Sequence, residues 1–191
     1  YQNNELKKAI LKLNHFIEMN PKGDLTQYAH YLKAMCYYAQ ISNEGRDPDL
    51  SMKALNNFKI IISKYPNTKY AKDSKFKIQY LKTSLAKNEL RIGKFYLKKG
   101  APASAIRRFK YILQNYQNTS IVPETLFRLS EALLIIGLKE DAIKSSAILN
   151  YNFPNNEWSN QSEKLLENKS EHARLKNSKP SIKDYLKRLF E

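Results

Sequence analysis

The sequence predicts an all-α protein built as an array of helical hairpins, and three observations carry that expectation. The chain of 191 residues holds only 5 glycines and 7 prolines beside abundant Leu, Ile, Lys, Ala and Glu, which favours helices over a turn-rich β fold. Apolar residues recur four and seven positions after the alanines Ala9, Ala54 and Ala105, the spacing of one buried helical stripe. The same frame returns at Ala142, and all four stretches stop alike. Twelve residues after each alanine stand Pro21, Pro66, Gln117 and Pro154, preceded by Asn20, Tyr65, Tyr116 and Phe153.

The elements follow in order from this register. At the fourth position come Leu13, Phe58, Phe109 and Ser146, and at the seventh Phe16, Ile61, Ile112 and Leu149. A small residue at the head of the stripe lets a neighbouring helix approach. Proline ends the helix because it has no amide hydrogen and disfavours helical geometry in the residue before it. Five positions before the later alanines lie Gly100 and Gly137, placed for a left-handed turn after the preceding helix. Twelve before lie Gly93 and Ser130, small residues in the middle of that helix, with Tyr96 and Leu133 three further on. Helix, turn, helix, with small residues at the crossing, is the tetratricopeptide pattern. The unit from Glu89 to Gln117 matches at Gly93, Tyr96, Gly100, Ala105 and Phe109. The unit from Leu126 to Pro154 matches at Ser130, Gly137 and Ala142, with Ser146 where an aromatic residue is usual.

Two units depart from the rule. The first shows only its second helix, from about Asn3 to Asn20, so an N-terminal portion is expected to be missing. In the next, Ala34 stands 20 residues before Ala54 rather than 12, so "ISNEGRDPDLS" lengthens the turn. Ala54 and Ala105 are 51 residues apart, and no Gly or Pro falls between Asn67 and Ile92. The expectation is one long helix from Lys69 to Lys99, about 45 Å at 1.5 Å per residue; the alternative is an extra short helix with a break near Lys87. The tetratricopeptide domain, about four to five repeats, is expected over residues 1–166, and a polar linker with a C-terminal amphipathic helix over 167–191. In that tail Ser181 can cap a helix after Pro180, with Ile182, Tyr185, Leu186, Leu189 and Phe190 on one face and Lys183, Lys187 and Arg188 flanking. Such a helix either lies on an anionic membrane, docks on a partner, or folds back on the array.

The formal charge of +15 is nearly all Lys and is spread along the chain. It reads as a solvated basic surface or as a face for an acidic protein or lipid headgroups, rather than as a nucleic-acid site. The single Cys36 sits in an apolar helical stretch as a small hydrophobe. His15, His30 and His172 lack ligand spacing, and no glycine-rich phosphate loop or paired carboxylates exist. No catalytic residue, metal, cofactor or small-molecule substrate is expected, and the protein is read as a non-enzyme. There is no apolar run of about 18 residues to span a bilayer.

The resemblance to tetratricopeptide arrays implies binding on the first helix of each hairpin, six and three positions before the small crossing residue and one and four after it. Around Ala34 those positions are Tyr28, Tyr31, Met35 and Tyr38, which share one helix face. Such a stripe either packs on neighbouring helices or offers flat apolar area with hydroxyl tips to an extended aromatic peptide. The next two units place Lys87, Leu90, Lys94 and Leu97, then Glu124, Phe127, Glu131 and Leu134, in the same register.

The irregularities point further than the repeat. The inserted Arg46-Asp47-Pro48 turn, the Tyr65-Pro66-Asn67 helix end, the Leu85-Ala86-Lys87 segment and the Tyr96-to-Gly100 turn, in this order, resemble the BamD family, the tetratricopeptide lipoproteins of the outer-membrane β-barrel assembly machinery. The resemblance covers roughly residues 1–155, and residues 168–191 extend beyond it. It implies a scaffold on the periplasmic face of the outer membrane, tethered by a lipidated cysteine that would lie in a portion absent from this chain, since Cys36 is mid-helix. It also implies two partners. C-terminal repeats would bind the periplasmic domains of the barrel-shaped core subunit, and N-terminal repeats would bind unfolded outer-membrane proteins through a C-terminal strand ending in an aromatic residue. Arg107, Arg108 and Arg128 are the candidates for the core-subunit interface, because guanidinium groups make forked bonds to carboxylates that Lys cannot. The alternative role is a general tetratricopeptide adaptor or chaperone of the cell envelope.

Overall fold

The structure, a computed structural model, describes residues 2–41 and 48–166. Among the described residues all regular structure is helical. The helices are α1 (Gln2–Met19), α2 (Thr26–Ala39), α3 (Pro48–Lys64), α4 (Lys69–Lys98), α5 (Pro102–Asn115), α6 (Val122–Ile135), α7 (Lys139–Asn152) and α8 (Glu157–Leu165). Arg46, Asp47, His172 and the amphipathic tail lie outside the described residues. The chain divides into two compact units whose boundary falls between Leu85 and Ala86, inside α4. In the first, α2 packs on α1 and on α3; in the second, α6 packs on α5, α7 and α8, and α7 also packs on α8.

The long helix is unbroken. α4 runs for 30 residues, about 45 Å, because nothing from Asn67 to Ile92 removes an amide donor or relaxes the backbone. The alternative break near Lys87 is absent.

The four repeated stops share one hydrogen-bonding scheme. The carbonyls of Asn20, Tyr65, Tyr116 and Phe153 each accept from the amide three residues on, at 3.2 Å, the donors being Gly23, Thr68, Thr119 and Asn156. Each carbonyl also accepts a hydroxyl: from Thr68 at 2.9 Å and Thr119 at 2.8 Å, and from Thr26 and Ser159 in the outer two copies. Two groups thus satisfy a carbonyl that the helix end leaves without an intrahelical partner.

The hairpin turns repeat as closely. Gly100 and Gly137 have φ of 70° and 82°. Ala101 N–H bonds Tyr96 O at 2.9 Å while Gly100 N–H bonds Leu97 O at 3.0 Å; Leu138 to Leu133 O and Gly137 to Leu134 O repeat both distances. This is the double-bonded helix end that a left-handed residue permits.

The crossing points need small residues. Ala34, Ala54, Ala105 and Ala142 are fully buried. A Cβ added to Gly93 would sit 2.4 Å from Phe109 Cε1, and the Ser130 hydroxyl lies 3.2 Å from the carbonyl of Ala142. Phe58, Phe109, Ile61, Ile112 and Leu149 form the buried stripes as expected. Phe16 differs, at 37% exposed, because the packing of α1 is on α2 and covers only the side that carries Ile10. Ser146 replaces the aromatic with a hydroxyl pair to Ser162 of α8, so α8 closes over a polar rather than a bulky position.

Candidate functional site

Each unit carries one surface with the chemistry of a binding face. In the first, Tyr28, Tyr31, Met35 and Tyr38 lie along one side of α2, as three-four-three spacing requires. Tyr28 is 41% exposed and the other three are half-buried. Phe58 of α3, fully buried, forms the floor: its ring lies 6.3 Å from Tyr31 and 6.2 Å from Tyr38.

The first half of α4 completes the surface. Tyr70 stacks at 5.4 Å on Tyr28 and 5.1 Å on Tyr31, and Tyr80, 60% exposed, meets Tyr38 edge-on at 6.1 Å. The Tyr31 hydroxyl donates to Asp73 Oδ2 at 2.8 Å. Burial first, and then that bond, push the Tyr31 hydroxyl up to about 12. Burial also raises Tyr38, with smaller contributions from Tyr80 and Asp73. Both phenols are therefore neutral donors at physiological pH. Two ammonium groups edge the rings: Lys77 Nζ lies 5.0 Å from the Tyr38 centroid and Lys69 Nζ 5.4 Å from that of Tyr70.

The contacts that the structure gives this stripe are with rings of α3 and α4. The rings touch neighbouring helices, yet they keep exposed edges and hydroxyls. The residues that sequence reasoning missed, Tyr70, Asp73, Lys77 and Tyr80, come from a helix 42 residues away along the chain at the Tyr31 bond. Their signal was present as tyrosines and lysines in helical spacing on α4, but nothing in the sequence states which helix faces α2.

In the second unit the three candidate arginines separate. Arg107 and Arg108 line an open depression of about 370 Å³ with Tyr96, Ser104 and Tyr111; the four residues from α5 fall on one helix face. Arg108 Nη1 donates to Glu89 Oε2 at 3.0 Å and Arg107 Nη2 to Ser104 Oγ at 3.4 Å. With Arg108 already paired to Glu89, the chemistry offered is chiefly the Arg107 guanidinium with two phenols and a hydroxyl, which suits a carboxylate.

Arg128 is elsewhere and is held within its unit. Its Nη1 bonds Glu131 Oε2 at 2.6 Å, its Nε lies 3.6 Å from Glu124 Oε1, and its guanidinium lies 5.1 Å from the Phe127 ring and 5.2 Å from that of Trp158. Glu124 also accepts from Lys94 at 2.8 Å. Phe127, at 5% exposed, lies against Trp158 of α8 at 5.4 Å, and Leu90 is likewise buried. One basic and one acidic register position of this unit, Lys94 and Glu124, thus pair with each other.

Two further titratable groups of the first unit, His30 and Cys36, are displaced chiefly by burial. His30 is buried and tilted against Tyr65 at 5.8 Å; burial, then Lys64 and Lys33, hold it below its ordinary value. Burial raises the Cys36 thiol. Among the described residues no three His, Cys, Asp or Glu side chains gather as a metal site, and no helix is long and apolar enough to cross a membrane.

Comparison with known proteins gives the chain's family. The family model YfiO, described as outer membrane lipoprotein, matches residues 1–149. The chain is 44% identical over 158 residues to the outer membrane protein assembly factor BamD of Caulobacter vibrioides, covering 83% of this chain and 52% of that protein. It is 40% identical over 164 residues to the protein of the same name from Rickettsia prowazekii, covering 86% and 65%. A third relative, from Neisseria meningitidis serogroup A, is 29% identical over 164 residues. The chain spans about half to two thirds of the length of these relatives.

Proposed function

The chain belongs to the YfiO family of outer membrane lipoproteins, and from that premise we propose that it is a non-enzymatic scaffold subunit of outer-membrane β-barrel assembly. The first unit binds the C-terminal signal of unfolded outer-membrane proteins, and the second binds the periplasmic domains of the barrel-shaped core subunit. The protein works at the periplasmic face of the outer membrane, held by a lipid anchor.

The observation that carries this reading is the tyrosine surface of α2 and α4. An unfolded barrel strand exposes alternate apolar side chains and unpaired backbone groups. Tyr28 and Tyr38 present ring edges to the former and hydroxyls to the latter, while Tyr31, its hydrogen donated to Asp73, adds ring surface over the floor formed by Phe58. Rings already stacked on one another lose little freedom when a ligand arrives. For the core subunit, the depression at Arg107 and Arg108 supports an acidic contact, whereas Arg128 serves its own unit.

The test is photocrosslinking of the chain with peptides that end in an aromatic barrel-type strand. Crosslinks are expected on α2 between Tyr28 and Tyr38, weakened severalfold by Tyr31→Ala. Crosslinks spread evenly over the chain, or unchanged by that substitution, reject the site.

A further inference from the structure

Two turns of the second unit share one backbone and differ in chemistry. Gly100 and Gly137 hold them with the same pair of hydrogen bonds. The first turn reads Lys98-Lys99-Gly100-Ala101, a solvated hairpin end, and the second reads Ile135-Ile136-Gly137-Leu138. All three aliphatic side chains of the second stand in water: Ile135 is 64% exposed, Leu138 47% and Ile136 41%. A helix end of this kind accounts for an apolar residue at Leu138, where a contact back to the last turn is usual. It does not account for Ile135 and Ile136, since lysines fill the same positions in the twin. The space around the tip is open, and a Cβ added to Gly137 would meet no atom within 4 Å.

The two turns share an edge. Helices joined by such short turns run antiparallel, so α4 and α6 end on the same side of the unit, and the bond from Lys94 to Glu124 ties them together. That edge carries Ile135, Ile136 and Leu138 beside the exposed ammonium groups of Lys98, Lys99 and Lys139. Phe95 adds a ring, 55% exposed, with Lys99 Nζ 5.8 Å from its centroid. Of the two acids that open α7, Asp141 bonds Lys144 at 3.2 Å and Glu140 is exposed.

We propose that this edge rests on a lipid bilayer: the aliphatic turn enters the headgroup region of an anionic phospholipid surface, and Lys98, Lys99 and Lys139 pair with the lipid phosphates. This rests on the reading that the protein works at a membrane. It goes beyond that reading, because the contact is made by side chains rather than a covalent lipid and uses neither the tyrosine surface nor the depression at Arg107.

Shape and charge select the occupant. Three aliphatic side chains on a convex tip offer a small part of the ~800 Å² per partner that a stable dimer buries. The tip has no pocket to grip a defined segment. A bilayer interface needs no matching shape, since it takes apolar side chains one at a time to a shallow depth while lysines beside them gain from anionic headgroups. No described helix is long and apolar enough to cross the bilayer, so the contact is one of surface.

The experiment is flotation of the 191-residue chain with vesicles of phosphatidylcholine alone and of phosphatidylcholine and phosphatidylglycerol in equal parts. The mixed vesicles are expected to carry about tenfold more protein at low salt, and the difference to shrink at high salt. Ile135→Ser combined with Ile136→Ser is expected to cut flotation about tenfold and to leave the circular dichroism spectrum and melting unchanged, because both side chains already stand in water. Lys98→Gln combined with Lys99→Gln is expected to lower flotation with the mixed vesicles severalfold and to leave that with the neutral ones unchanged. Tyr28→Ala is expected to change neither. Flotation that survives the isoleucine pair places the contact elsewhere on the chain, and equal flotation with both vesicles shows that the lysines take no part. Either result overturns the inference, and neither touches the peptide site, whose crosslinking is a separate measurement. Absence of flotation overturns it as well, and a dimer in sedimentation that the isoleucine pair dissolves would then name a second copy as the occupant.

Discussion

The first helices of two hairpins use the same four register positions in opposite ways. On α2 the positions hold Tyr28, Tyr31, Met35 and Tyr38, and what covers them is a second row of rings and cations that leaves edges open. On α6 they hold Glu124, Phe127, Glu131 and Leu134. There the aromatic side chain is buried beneath Trp158, and the two acids clamp Arg128 while one of them also accepts from Lys94. One backbone pattern therefore yields a surface that can receive a ligand and a surface that is already satisfied. The difference lies in the partner groups that neighbouring helices bring, since charges paired at short range inside a unit have little left to offer a newcomer.

That contrast can be broken most forcefully at Trp158. Trp158→Ala uncovers Phe127 and takes one ring from Arg128, and should lower unfolding stability by about 2–3 kcal/mol, less than a fully buried Trp because its indole is half-exposed. Chemical denaturation followed by circular dichroism reads this. Tyr28→Ala on the open surface should stay within about 0.5–1 kcal/mol; equal losses at the two positions would erase the distinction. A smaller effect is expected from Glu124→Gln. It removes the charge shared by Lys94 and Arg128, and about 1 kcal/mol should go with it, with the loss shrinking in high salt. Unchanged stability in low salt would mean that the acids do not hold this surface closed.

The parts of this architecture that were legible in the sequence are those written locally. Gly100 and Gly137 announce their left-handed turns because almost any other residue would be strained there. Gly93 announces a crossing, since the Phe109 ring occupies the space of its missing side chain. The uninterrupted run after Asn67 announces the length of α4. What was not legible depends on which helices meet. Arg128 reads as a free cation until Trp158, 30 residues on, is laid across it. Lys94 and Glu124 look like opposite-sign stripes until their 2.8 Å bond joins them. Tyr70 and Tyr80 gain meaning only from the packing of α4 on α2. Periodicity gives each helix a face, but the pairing of faces is a tertiary property, and the binding surface is built from those pairings.

The mildest test of the comparison concerns the bond from Tyr31 to Asp73, the polar contact that ties the two rows of the open surface together. Tyr31→Phe keeps the ring against Tyr70 and Phe58 and deletes only the hydroxyl, so about 1 kcal/mol of stability is at stake at neutral pH. The pH dependence separates this bond from ring packing. An unfolded tyrosine ionises near 10, whereas Tyr31 in the folded chain holds its proton to about 12. Above pH 10 the folded state therefore binds more protons than the unfolded one, and stability falls as pH rises through that window. Removing the hydroxyl should flatten the fall between pH 10 and about 12, with Tyr38, also raised by burial, keeping part of the slope. An alkaline limb unchanged in Tyr31→Phe would show that the hydroxyl is as solvated in the folded chain as in the unfolded one. In that event the row on α4 would be held to α2 by its rings alone.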